Sequence, residues 1–268
     1  MSDIVNALAR LPDLAILALS ATAFGLMGGA IALLSNWLWF ERWPKHSSYE
    51  DKLADTAHTS LLGFSAFVLA LLITNGFLSL FNTEADVRRE AVEIYRLGQE
   101  LDALGPTARD AKQSLAAYAK NVSEDEWARL ASLPSSLSPL AQRNLDDLWR
   151  SVRVVQRGLD RGDPVRDDLA AHAAEIETLR SGRLAEATTT IPSIFWVIVL
   201  LFVAAASFLS GREAPKRFGM QVNLIHMAAI GLAVGLVIIL NNPFRGQTSV
   251  SATIIRDALA PSAPSGAS

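Results

Sequence analysis

Residues Ser60–Phe81 read SLLGFSAFVLALLITNGFLSLF, without a single Asp, Glu, Lys or Arg. A helix needs about 20 apolar residues to cross a hydrocarbon core of about 30 Å. A soluble core helix is rarely apolar on every face over that length. Three more stretches answer the same description: Leu14–Phe40, Ile191–Ser210 and Phe218–Leu240. The pattern predicts an all-α integral membrane protein whose four transmembrane helices are grouped two and two around a polar, helical insert. The expected organisation is an N-terminal segment (1–13), spans 1 and 2 (14–81), a soluble insert (82–189), spans 3 and 4 (190–240) and a tail (241–268). Arg10 ahead of the first run has a signal-peptide look, but the run exceeds the usual h-region of about 7–15 residues and reads as a retained span.

Composition agrees with that reading. The chain is 50% hydrophobic and 19% charged, and its mean hydropathy is +0.26. The net charge of −3 comes with no basic stripe, which speaks against nucleic acid as a partner. There is no cysteine, hence no disulfide and no thiolate metal site.

The spans carry their own anchors. Gly25 and Gly29 in the first, and Gly231 and Gly235 in the fourth, have the small-xxx-small spacing that lets helices approach closely in lipid. Trp37, Trp39 and Trp43 beside Arg42 and Lys45 form an interfacial aromatic belt with snorkelling cations. Pro192 opens the third span, and Gly211 and Pro215 close it, which predicts a hairpin with the fourth.

The insert shows helical periodicity throughout. Val87, Ala91, Ile94, Leu97, Leu101 and Leu104 make a stripe that continues from the second span to Gly105-Pro106. Ala108, Ala111, Leu115, Tyr118 and Val122 form the next stripe. Ser123 and Glu126 have capping-box spacing. Leu145, Leu148, Val152, Val155 and Leu159 follow, and then Asp163-Pro164 as an N-cap and first-turn proline ahead of Leu169, Ala173, Ile176 and Leu179. Ile254, Ile255, Ala258 and Leu259 predict a short final helix, and Pro261–Ser268 a disordered end.

The chemistry is sparse. No nucleophile–base pair, phosphate loop, HExxH or dinucleotide fingerprint is present, so an enzyme is not expected, nor a cofactor. His46, His58 and His172 are scattered and predict no metal site. His226, inside the fourth span, is the only titratable group in the membrane, either hydrogen-bonded between helices or functional. Thr74, Asn75 and Ser79 form a polar cluster on the second span, read as packing or as pore wall. Leu69, Ile73 and Phe77 recur every four residues, with Phe81 continuing the row. Repeated around a symmetry axis, such a row makes a hydrophobic constriction that gates by dewetting; in a single subunit it serves packing.

With these residues in view, the chain resembles the bacterial bestrophin-like domain family, membrane proteins of largely unassigned function. The resemblance spans the two-insert-two layout and three local matches. They are Gly76-Phe77, the charged continuation helix Glu84–Ile94 with Arg88-Arg89-Glu90-Ala91, and the tail Pro243-Phe244-Arg245-Gly246 followed by Val250-Ser251. Bestrophins are pentameric anion channels lined by their second helix. The resemblance therefore implies a homo-oligomer in a lipid bilayer, a pentamer passing small anions, with Leu69, Ile73 and Phe77 at the neck and Pro243, Phe244 and Gly246 in the tail motif. Animal bestrophins follow this motif with an acidic calcium-binding run; here Arg245, Gly246, Gln247, Thr248 and Ser249 follow, so no calcium clasp is expected. The short links carry Arg42, Lys45, Lys52, Arg212, Lys216 and Arg217, and the short segments taken alone put them inside; counting Arg88, Arg89, Arg96, Arg180 and Arg183 at the flanks of the insert reverses that balance. The resemblance implies a bacterial inner membrane with a cytoplasmic insert. The alternative is a membrane-anchored sensor or scaffold whose insert binds a ligand or partner.

Overall fold

A computed structural model describes residues 11–40, 48–132, 135–189, 191–214 and 216–259. Arg10, Arg42, Trp43, Lys45, His46, Pro215 and the 261–268 end lie outside the described residues. Among those described, the chain is helical with no strand: α1 (Asp13–Ser35), α2 (Ser48–Ala103), α3 (Arg109–Asn121), α4 (Trp127–Leu130), α5 (Pro139–Gly158), α6 (Pro164–Thr188), α7 (Ser193–Ser210), α8 (Arg217–Leu240) and α9 (Thr253–Asp257). Four helical stretches are long and apolar enough to cross a membrane: Asp13–Phe40, Tyr49–Ala103, Pro164–Glu213 and Arg217–Leu240. The chain divides into two compact units, Met1–Leu78 with Thr190–Asn241, and Ser79–Thr189 with Asn242–Ser268.

The first unit is built on the α1–α8 pair, its most extensive helix contact. A Cβ on Gly231 would lie 2.4 Å from the Ser20 carbonyl oxygen and 2.7 Å from Ala21 Cα. Both are backbone atoms, so only glycine permits this approach. Lipid supplies no hydrophobic drive between helices, and small residues gain close van der Waals contact instead. The spacing found in the two spans is thus used within one subunit. The turn through Gly211–Glu213 does join α7 to α8, but α8 packs chiefly along α1. The α1 end is pinned to the α7 end. Ser35 Oγ donates to the Phe208 carbonyl at 2.9 Å, and Asn36 Nδ2 to the Gly211 carbonyl at 2.9 Å. The π-turn that follows, Asn36–Phe40, leaves Trp37 and Trp39 exposed, as an interfacial belt requires.

The second unit gathers the predicted stripes into one core: Val87, Ile94, Leu97 and Leu101 of α2; Leu115 and Tyr118 of α3; Leu145, Leu148 and Val152 of α5; Leu169, Ala173 and Ile176 of α6. Phe244, Val250 and Ile255 of the tail belong to the same core. Local signals position these helices. Gly105, at φ 64°, stops the α2 turn ahead of Pro106. Asp163 Oδ1 accepts from the Val165 amide at 3.0 Å, and Ser138 Oγ from the Ala141 amide at 3.0 Å. The Ser123–Glu126 spacing does not cap anything. Val122–Glu126 is a π-turn continuing α3, and Ser123 Oγ donates back to the Lys120 carbonyl at 2.9 Å. The extra residue in that turn carries Glu126 inward.

Candidate pore-facing helix and buried charge cluster

In the most apolar part of α2 only 17% of residues are buried within the chain, the smallest share of the four spans. Most of that apolar part is therefore left uncovered by the rest of the chain. Steps of four residues on an α-helix drift by about 40° each, since a turn takes 3.6 residues. The row that starts at Leu69 accordingly rotates out of the subunit as it climbs. Leu69 is 2% exposed and lies in the apolar core of the first unit, Ile73 packs partly buried against that core, and Phe77 and Phe81 are 38% and 61% exposed. The face open at every level alternates four- and three-residue steps: Ala70, Thr74, Phe77 and Phe81. Thr74 Oγ1 is satisfied by the Ala70 carbonyl at 2.8 Å, so this face presents a methyl rather than a lone hydroxyl. Asn75 is exposed beside it, and Gly76 meets α8, where a Cβ would stand 2.7 Å from Leu240 Cβ. Ser79 is held by Glu186 Oε2 at 2.7 Å, a partner the sequence did not point to. His226 is exposed on α8. The polar candidates are thus spread over separate places rather than gathered into one site.

The tail motif is a built turn. Asn242 Oδ1 accepts the Phe244 amide at 2.9 Å, its Nδ2 donates to the Leu130 carbonyl at 3.1 Å, and the Val250 amide closes on the Pro243 carbonyl at 2.8 Å. Gly246 sits at φ 83°, a left-handed conformation that favours glycine. The turn drops Phe244 edge-on against Trp127, with ring centroids 5.3 Å apart, and Trp127 Nε1 donates to the Val250 carbonyl at 3.1 Å.

Beneath Trp127 lies a cluster of buried charge. The Arg183 guanidinium, 5.2 Å from the Trp127 ring centroid, reaches Glu90 Oε2 at 3.1 Å and Glu126 Oε1 at 2.8 Å. Arg180 reaches Glu126 Oε2 at 2.6 Å and Gln142 Oε1 at 2.6 Å, and the Tyr118 hydroxyl donates to Glu90 Oε1 at 2.6 Å. The side chains of Arg183, Glu90 and Glu126 are fully buried. Burial works against the Arg183 charge, but Glu90 and then Glu126 outweigh it and hold that guanidinium above the usual arginine range. Burial, and next the Glu90 charge, push the Tyr118 phenol well above its ordinary value, so it remains a hydrogen-bond donor. Sequence reasoning missed this cluster, taking Arg180 and Arg183 for charges flanking the insert. The available signal was register. Glu90 stands three after Val87 and four before Ile94, and Arg183 four after Leu179, so both occupy core positions of apolar stripes.

Among the described residues no group of three His, Asp or Glu side chains is arranged to hold a metal ion.

The chain's sequence matches the bestrophin-like domain family over residues 18–255. No curated protein sequence matches it. Among solved structures, a mutant bacterial bestrophin homologue from Klebsiella pneumoniae is 15% identical, with a TM-score of 0.65 over 89% of this chain and 96% of that one. A second mutant of a bacterial bestrophin homologue from Klebsiella pneumoniae is 17% identical, with a TM-score of 0.60 over 92% and 97%. A mutant described simply as a membrane protein gives 14% identity and a TM-score of 0.67 over 89% and 97%.

Proposed function

The chain belongs to the bestrophin-like domain family, and from that premise we propose that it is a homo-oligomeric channel passing small anions through a pore lined by α2. With its four long apolar helices it is an integral membrane protein. The observation that carries the pore reading is the continuous exposed face Ala70–Thr74–Phe77–Phe81, on a span that buries less of itself within the chain than the other three. Arranged around a symmetry axis, Phe77 and Phe81 form the apolar neck, with Ile73 half-buried behind them and Leu69 bracing α2 from inside the subunit. A dry constriction of this kind gates by wetting and dewetting. Gly76 lets α2 lie against Leu240 and so fixes which way Phe77 points. The insert lies in the cytoplasm of a bacterial inner membrane, and a closed ring of five is the assembly the resemblance favours.

Two measurements test this. Class averages of the detergent-purified chain are expected to show a closed ring with α2 nearest the axis; a monomer or a two-fold dimer without an axial channel counts against it. In planar bilayers the Phe77→Ala variant is expected to conduct more than the parent, because the neck widens. Equal conductance, or none from either protein, counts against a pore at Phe77.

A further inference from the structure

Asparagine occurs twice on α2, at Asn75 and Asn82. The two are seven residues apart, about 10 Å along the helix and within about 20° of one another around it. Asn75 lies about 9 Å inside the Phe81 end of the apolar run, within a hydrocarbon layer of about 30 Å. Both side chains are exposed on the subunit, and among the described residues neither amide makes a hydrogen bond. The hydroxyls of the spans behave otherwise. Thr22 closes on the Ala18 carbonyl at 2.7 Å, Ser65 on the Leu61 carbonyl at 2.9 Å and Thr74 on the Ala70 carbonyl at 2.8 Å. Asn75 is an open amide, with two N–H donors and a carbonyl oxygen, at a depth where lipid supplies no partner and an unpaired polar group is costly.

The neighbours of the amides form a pattern. Alternate steps of four and three from Phe64 give Val68, Leu71, Asn75, Leu78 and Asn82. Phe64, Leu71 and Leu78 are 57%, 49% and 54% exposed, and Val68 is half-buried. Such spacing keeps one seam turned toward a neighbouring helix, and an asparagine within the seam specifies its register. The seam is distinct from the proposed neck. Asn75 and Asn82 stand about 100–160° around the helix from Phe77 and Phe81. With those phenylalanines turned to the axis, the amides face away from the lumen and its water. A second copy of this chain is the occupant that fits. Inserted in the same bilayer, it brings the same two amides to the same depth, and an amide, donor and acceptor at once, complements another.

We propose that the row from Phe64 to Asn82 is a contact between subunits, in which Asn75 and Asn82 hydrogen-bond to the adjacent copy and fix the register between them. The proposal deepens the homo-oligomeric reading and rests on it; it does not require that the assembly conduct ions.

The test uses the full chain purified in detergent. The chain has no cysteine, so a single introduced thiol reports on one position. In the assembly Asn75→Cys is expected to react with a water-soluble maleimide far more slowly than Thr107→Cys, which is exposed, and to match it once SDS has separated the copies. Asn75→Leu is expected to lower the apparent association constant about 3–20-fold, the range for one interhelical hydrogen bond in a membrane, as read by native mass spectrometry over a dilution series. Asn75→Gln keeps the amide and is expected to recover most of that loss. Should Asn75→Leu fail to fold, Asn82→Leu probes the same seam. Rapid labelling of Asn75→Cys in the assembly, the mark of a wetted wall, overturns the seam and leaves the ring standing. So does an Asn75→Leu chain that assembles as well as the parent, the mark of a lipid-facing site. A monomeric parent overturns the homo-oligomer and the seam together. An assembly that depends on Asn75 but carries no current upholds the seam and counts against the channel alone.

Discussion

The two units of this chain solve the same packing problem with opposite materials. In the first, α1 and α8 meet through glycines set against the facing helix, and among the described residues no ion pair joins the two. In the second, an apolar core encloses Arg183, Glu90 and Glu126, fully buried. The difference follows from the surroundings. Apolar side chains gain nothing by leaving lipid for protein, so helices in the membrane must gain contact instead. If the second unit stands in water, as proposed, burying its apolar stripes already drives association, and it can carry charges that direct which helices meet. A buried ion pair is weak evidence for stability in itself, but a broken one is expensive.

That contrast is most sharply broken at Arg183. Arg183→Met leaves two buried carboxylates without their shared partner and is expected to cost about 3–5 kcal/mol; unfolding of the second unit, followed by Trp127 fluorescence in denaturant, measures it. If charge serves mainly to direct packing, Arg183→Met combined with Glu90→Gln recovers a good part of that loss, since Glu126 keeps Arg180 as its partner. In the first unit the corresponding break is steric. Gly231→Val forces side-chain atoms into the α1 backbone and is expected to cost about 1–3 kcal/mol, read as a lower unfolding midpoint in detergent, with the Trp127–Phe244 contact intact.

Smaller changes sharpen the comparison. Trp127→Phe keeps the ring against Phe244 but removes the N–H that holds the Val250 carbonyl, for about 1–3 kcal/mol; limited proteolysis is then expected to cut near residue 250 sooner. The smallest effect is expected at Ser138. Its hydroxyl caps α5 and hydrogen-bonds Asp125, and that hydrogen bond, with Arg129 next, holds the Asp125 carboxyl below its ordinary value. Ser138→Ala is expected to cost about 1 kcal/mol at neutral pH. A lowered carboxyl adds stability above its unfolded range and loses it on acidification, so the gap between parent and variant narrows as pH falls through the Asp125 titration.

What could be read from sequence divides along the same line. The spans were legible because lipid tolerates almost no charge, and Ser60–Phe81 has none. The insert stripes were legible because Val87, Ile94, Leu101 and their counterparts keep helical register. Two things were hidden. A four-residue row reads as one face on paper, yet it turns by about 40° at each step, which carries Leu69 into the core while Phe81 stays on the surface. And a charged residue on an apolar stripe reads as an interruption, when Glu90 and Arg183 are partners that only the tertiary fold brings together across 93 residues. The π-turn at Val122–Glu126 was out of reach for the same reason. Its spacing imitates a cap, and only the buried arginines explain why Glu126 points inward.

The tail turn sets an order of events. The second unit is assembled from two separated pieces of chain, Ser79–Thr189 and Asn242–Ser268. A ribosome delivers Phe244, Val250 and Ile255 only after α7 and α8 have been made. Until then the insert lacks those three core side chains, and the Trp127 indole lacks its acceptor. Completion of the second unit is thereby tied to synthesis of α8, so a chain halted before Asn242 leaves that unit with an open core for quality control to find.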